Sequence, residues 1–217
     1  MQPADFEEKE YETSLCMELL SGSPYFWAPG QVFENHFGID GAIRAEDPLF
    51  WSYLGYPIIP PGVTLNDYRW GFIWRSLGER KELPTFRTNA LLQMKRPDFL
   101  QGSNSRLSPY GIRGSYWRFK VNAHQQSLLE RVADRVGHRA IVSYASAAFH
   151  RQGDLYAHIT ARTLVQNSTF VQAVRMSGHG AWAYDTPGAT GVGCSEPERI
   201  RGELFLTDVR RAAHVSG

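Results

Sequence analysis

Cysteine and lysine are both scarce in this chain of 217 residues. The two cysteines, Cys16 and Cys194, stand far apart and in no CxxC pairing, which excludes a disulfide framework and a cysteine-rich zinc module and leaves reduced, structural thiols. Histidine offers no metal motif in their place: no HxH, HxxxH or HEXXH spacing occurs, and His150 and His179 read as structural or loop residues. No apolar run approaches the ~20 residues of a membrane-spanning helix. The acidic start MQPADFEEKEYE lacks the basic n-region of a secretory signal, so a cytoplasmic protein with no membrane partner is expected. Serine hydrolysis lacks its GxSxG elbow around Ser143, Ser146 and Ser195, and ATGVG at 189–193 lacks the GK[ST] ending of a phosphate-binding loop. With no internal repeat and no low-complexity segment, periodicity and breakers must carry the organisation.

What is present is the composition of a folded domain, since 42% hydrophobic residues is too apolar for a disordered chain. At ~150 residues per domain the length suggests one domain over 1–217, with a core at about 25–150, an insertion at about 47–86 and a C-terminal extension at about 151–217. The net charge of +1 conceals an uneven distribution. Through Glu12 five acidic residues face Lys9 alone, whereas from Arg96 to Arg151 nine basic residues face three acidic ones. Arginine outnumbers lysine 19 to 4, and its planar fork pairs with phosphate oxygens bidentately, so the basic stretch reads as a surface for polyanions. GC-rich coding sequence produces the same bias and stays open as its cause.

Along the chain, residues 31–37 (QVFENHF) are helix-compatible, and GIDGAIRA alternates at period two as a strand does. Residues 47–86 are rich in Pro, Gly and aromatics, contain a strand-like YRWGFIWR, and read as an insertion or a meandering hairpin. TNALLQMKRP reads as a strand that ends at Pro97, because proline cannot donate to a ladder. YWRFKV reads as a strand with Arg118 and Lys120 on one face and Trp117, Phe119 and Val121 on the other. HQQSLLERVADRVG spaces Leu128, Leu129, Val132 and Val136 as an amphipathic helix closed by Gly137, and HRAIVSYASAAF has the continuous apolar start of a buried central strand. This mixture predicts an α/β fold whose central mixed sheet is covered on both faces. Trp51, Trp70 and Trp74 put more apolar surface into 47–86 than a short excursion can bury, so that segment is expected to join a homodimer or partner interface. Stacking of its aromatics on unpaired bases is the other use.

The chemistry falls on three pieces: Glu34 on the 31–37 helix, Asp40 at the start of its strand, and Gln93-Met94-Lys95 on the later strand. Period two puts Gln93 and Lys95 on one face and turns Met94 into the core. A carboxylate from one strand and an amide carbonyl from the next can hold a hard divalent cation such as Mg²⁺. A lysine two residues on can orient or deprotonate an attacking water and offset negative charge building on a phosphate. The competing reading makes Asp40 a turn cap, Lys95-Arg96 a solvated strand end and Glu34 a surface charge.

In FENHFGID a helix glutamate precedes a strand aspartate by six, and in LLQMKRPDF a glutamine stands two before a lysine. In these motifs, over roughly residues 25–150, the sequence resembles the PD-(D/E)XK superfamily of restriction-endonuclease-like nucleases, and more narrowly the nuclease effector domains of bacterial defence systems. The resemblance implies an αβββαβ core and a Mg²⁺-dependent DNA endonuclease, with Mn²⁺ able to substitute, acting as the effector of an anti-phage defence or restriction system. Its implied partners are DNA and either a second copy of the chain or another defence protein. Carried over residue by residue, Asp40 is the metal aspartate, Gln93 the second ligand, Lys95 the signature lysine and Glu34 the helix-borne acid; either Glu34 completes the metal set or the metal is held more weakly. Gln126, at the start of the following helix, is an accessory. Arg96, Arg118, Lys120, Arg131 and Arg135 would hold the DNA backbone. The departure is Gln93, which carries no negative charge where many members have glutamate. If that marks decay, the chain is instead a non-catalytic nucleic-acid-binding or assembly subunit that keeps the nuclease fold.

Overall fold

The computed structural model describes residues 1–20 and 22–195, and the backbone of 197–200. In chain order these form β1 (Gln2–Pro3), α1 (Glu8–Leu20), β2 (Phe26–Trp27), α2 (Gln31–Phe37), β3 (Gly41–Ile43), α3 (Pro48–Tyr53), β4 (Val63–Thr64), α4 (Gly71–Leu77), β5 (Arg87–Thr88) and β6 (Ala90–Lys95). They continue with β7 (Asp98–Leu100), β8 (Tyr116–Lys120), α5 (Ala123–Val136), β9 (Ile141–Ala147), α6 (Gln152–Ala161), β10 (Ser168–Gln172), β11 (Ala181–Tyr184), β12 (Gly191–Cys194) and β13 (Pro197–Ile200).

The centre is a five-stranded mixed sheet in the order β10-β9-β6-β3-β2. Strands β6 and β9 run parallel, and every other pair in it is antiparallel. A parallel neighbour needs a crossover, and the chain between β6 and β9 supplies one that includes α5. Every residue of β9 is buried, as is every residue of β6 before Lys95, because helices cover both faces. Ile43, Ala90, Leu92, Met94 and Ala145 pack beneath α1, α3 and α6. Ala42, Leu91, Val142 and Tyr144 pack beneath α2, α4 and α5. Helix α1 turns Tyr11, Leu15 and Leu19 inward at four-residue spacing, with Glu12 and Cys16 one residue on. Helix α5 starts at Asn122, whose side chain accepts from the amides of His124 and Gln125. A second, antiparallel sheet in the order β1-β7-β8-β11-β12-β13 leans Phe119, Trp182 and Tyr184 against the α5 side of the core.

Several expectations need correcting. YRWGFIWR is not a strand: α4 occupies Gly71–Leu77, closed by Gly78 at φ 73°, and Trp70, Ile73, Trp74 and Leu77 meet the core at helical spacing. Trp51 and Trp70 are fully buried within the chain, on opposite faces of the central sheet, and Trp74 is half-buried beside Trp70, so the tryptophans themselves call for no partner at 47–86. YWRFKV forms β8 as expected, and its alternation holds, yet it pairs with β7 and β11 in the second sheet rather than joining the central one. The segment from 151 is no mere appendage, since β10 is an edge strand of the central sheet, and α1 at the other end covers its face. Residues 201–217 of that segment lie outside the described residues.

Candidate active site

Asp40 enters the central sheet directly after α2. The helix closes on Gly38 at φ 74°, where an added side chain would come within 3.2 Å of the Gln125 carbonyl on α5, so glycine both makes the turn and lets the helices meet. Two residues later the Asp40 amide donates to the Leu92 carbonyl at 2.8 Å, which places Asp40 opposite Gln93 on the same face. Its Oδ2 accepts from the Gln93 side-chain amide at 2.7 Å and from the Met94 backbone amide at 2.6 Å. Both donors take one oxygen, and Asp40 is 6% exposed.

Gln93 is the more unusual residue. Its Nε2 faces two acceptors, Asp40 Oδ2 and the Met94 carbonyl at 3.1 Å, and that fixes the orientation of the amide. The other end, Oε1, is sealed from solvent and has no hydrogen-bond partner. An unpaired buried carbonyl costs about 1–3 kcal/mol, so a donor or cation at that oxygen would be favourable. Lys95, half-buried and two residues further along, shares the face, and its carbonyl is fastened by the Ser146 hydroxyl at 2.7 Å.

The charges around Asp40 come from three elements. Burial pushes its carboxyl up to about 7, the Met94 amide pulls it back, the negative charges of Glu12 and Glu34 raise it further, and Lys95 opposes them. Glu12, on α1 and 6% exposed, is also raised, chiefly by burial, against its hydrogen bond to Lys9 and with help from Glu34 and Glu8. The structure therefore brings Gln93 into hydrogen-bonding reach of Asp40 and Glu34 and Lys95 into electrostatic reach of it, and adds Glu12, which sequence reasoning missed. In the fold Glu12 falls among Tyr11, Leu15, Cys16 and Leu19 on the buried face of α1, a face the sequence marks only weakly because Met17 on the same helix stays exposed.

The accessory and basic residues sit differently. Gln126 is buried, but it accepts from the Tyr144 hydroxyl at 2.8 Å and donates to Glu130 and the Ala173 carbonyl; it reaches Asp40 by no direct bond, and it pins α5 to β9. Arg96 is occupied in folding, donating to the Ala4 carbonyl and pairing with Glu7. Arg118 and Lys120 lie on the second sheet, Arg118 half-buried near Met1 and Lys120 exposed. Arg131 and Arg135 are exposed on α5.

Among the described residues, no group of three His, Cys, Asp or Glu side chains is arranged to hold a metal ion. The oxygens the centre offers are the Asp40 carboxylate and, at the other end of the amide that bonds it, the unpartnered Gln93 Oε1, with Glu12 and Glu34 near by in charge. All are oxygens, the set preferred by Mg²⁺, which commonly takes one or two carboxylates and completes its shell with water and substrate phosphate. In donor chemistry alone, oxygen throughout, the set is of the kind such an ion takes. Compared with known proteins, the chain matches no family model, no curated protein and no solved structure.

Proposed function

We propose that this protein hydrolyses phosphodiester bonds of DNA with Mg²⁺ or Mn²⁺, at Asp40, Gln93 and Lys95. The observation that carries the reading is the sealed, unpartnered Oε1 of Gln93 beside a carboxylate that burial holds at a raised pKa of about 7. Most buried side-chain polar atoms find a partner, so the open end of this amide leaves an acceptor for a donor or a cation. The arrangement of β2, β3 and β6 with β9 parallel to β6, α1 on one face and α5 on the other supports a restriction-endonuclease-like core, with Glu12 rather than Glu34 on its leading helix.

Asp40 and Gln93 Oε1 would hold the cation, with Glu12 and Glu34 adding negative potential, and the bound ion would supply Lewis-acid polarisation of a phosphate oxygen. Lys95 offers ammonium donors that orient the attacking water and offset the charge building on phosphorus. The water oxygen bonds to phosphorus, one P–O ester bond breaks, and the water's proton ends on the departing sugar oxygen. Met94 holds Asp40 through its backbone amide, so the carboxylate stays aimed while the reaction proceeds.

The absence of a three-carboxylate cluster among the described residues favours a second reading, a nucleic-acid-binding subunit that retains the architecture without cutting. Incubation of supercoiled plasmid with the purified protein decides between them. Nicking that needs Mg²⁺ or Mn²⁺ and falls at least 100-fold in Lys95→Ala and Glu12→Gln, both still folded, is the expected result; a rate of 100-fold is about 2.7 kcal/mol of barrier. Cleavage that survives EDTA or either variant overturns the proposal, and DNA binding without cleavage selects the second reading.

A further inference from the structure

A cleft of about 420 Å³ opens between α4 and α5, lined by Arg69, Phe72, Arg75, Arg131, Asp134 and Arg135. Four guanidinium groups share it with a single carboxylate, all five charged side chains are exposed, and none of the four arginines forms an ion pair with a described residue. Like charges gathered without partners repel one another, and a bound anion relieves that repulsion. Two of the arginines are also held in place. Arg131 lies over the Phe72 ring at 4.7 Å from its centroid, and Arg135 donates one Nη1–H to the Arg69 carbonyl at 2.9 Å. Each keeps most of its five N–H donors, now on a guanidinium that needs little further ordering to grip an oxyanion by its fork. The arginines come from segments far apart in sequence, so neither stretch alone reveals the cluster. Helix α2, which carries Glu34, lies on the same side of the sheet as α4 and α5.

We infer that this cleft binds the phosphate groups of a nucleotide, either free or within a nucleic-acid strand. The inference stands without the cleavage reading, because binding can be measured in EDTA with the cation withheld. Fluorescence anisotropy of labelled single-stranded and duplex 12-mers, and their displacement by inorganic pyrophosphate, tests it in the full chain. Arg75→Glu and Arg131→Glu are each expected to weaken binding at least tenfold and to flatten the dependence of log affinity on log salt by about one unit per lost contact. Asp134→Asn, which removes the opposing charge, is expected to tighten binding. The matched control is Arg113→Glu, an exposed arginine outside the cleft that changes the net charge equally. Displacement by millimolar pyrophosphate assigns the cleft to free nucleotide phosphates, and its failure beside tight strand binding assigns it to the strand backbone. Cleft variants no weaker than Arg113→Glu, or no gain in Asp134→Asn, overturn the inference.

Discussion

Replacing Asp40 by asparagine should make the protein more stable at neutral and alkaline pH. Both hydrogen bonds that Asp40 accepts arrive at one oxygen, from Gln93 Nε2 and the Met94 amide, so an asparagine carbonyl in that place keeps them both. What the substitution removes is a charge that burial disfavours. Asp40 has its pKa raised from 3.8 to about 7 in the fold, so between those values the unfolded chain has lost a proton that the folded chain keeps. Stability contributed by this group is therefore full below about pH 4 and is lost as pH rises through 7. At ~1.4 kcal/mol per pH unit the loss amounts to ~4 kcal/mol. Glu12, raised in the same direction, adds to the slope in both proteins, and because the two charges raise each other its share is smaller in the variant, which widens the difference in the same direction. Urea denaturation of wild type and Asp40→Asn at pH 4.5, 6, 7 and 8 reads the difference directly: the variant is ahead by only ~1 kcal/mol at pH 4.5 and by a few kcal/mol at pH 8. A gap that does not change with pH, or a variant weaker at pH 8, would refute the reasoning, because either result means that Asp40 is ionised without penalty.

Mg²⁺ at 100 times its dissociation constant should stabilise the wild-type fold by ~2.7 kcal/mol at pH 8 and by less at pH 6, where Asp40 keeps its proton, with no shift in Asp40→Asn; the same urea titrations with and without the ion check this, and an equal shift in both proteins contradicts it. Tyr144→Phe removes the hydroxyl that donates to buried Gln126 at 2.8 Å. It should lower stability by ~1–3 kcal/mol while leaving the pH dependence attributed to Asp40 unchanged, and a lost pH dependence would instead place Gln126 in the charged centre.

Much of this was legible in the sequence wherever the signal was local. Period two in ALLQMK separated Gln93 and Lys95 from Met94, and the apolar rows of α5 and β9 announced a helix and a doubly covered strand. The strands that carry Asp40 and Gln93 were legible one at a time, but the hydrogen bond between the two side chains was not. Helix α1 escaped because its faces are blurred: Glu12 points inward while Met17 stays 70% exposed, so neither side has a consistent character. Helix α4 escaped because its aromatics favour strands as isolated residues, and only their spacing against the core makes them helical. The second sheet escaped for a different reason. Its pairings join residues as distant as Gln2 and Phe99, or Lys120 and Ala181, and strand alternation alone does not say which strand lies beside which. The four-arginine cleft is hidden in the same way, by a meeting of segments that the chain keeps apart.

The most direct test of the central claim is a crystal of the protein soaked in Mn²⁺ at pH 8 and measured for anomalous scattering. One strong peak is expected within coordination distance of both the Asp40 carboxylate and Gln93 Oε1, with the Gln93 amide nitrogen still on Asp40 Oδ2. A saturating soak that leaves Gln93 Oε1 without a cation, or that places the ion away from Asp40, would contradict it.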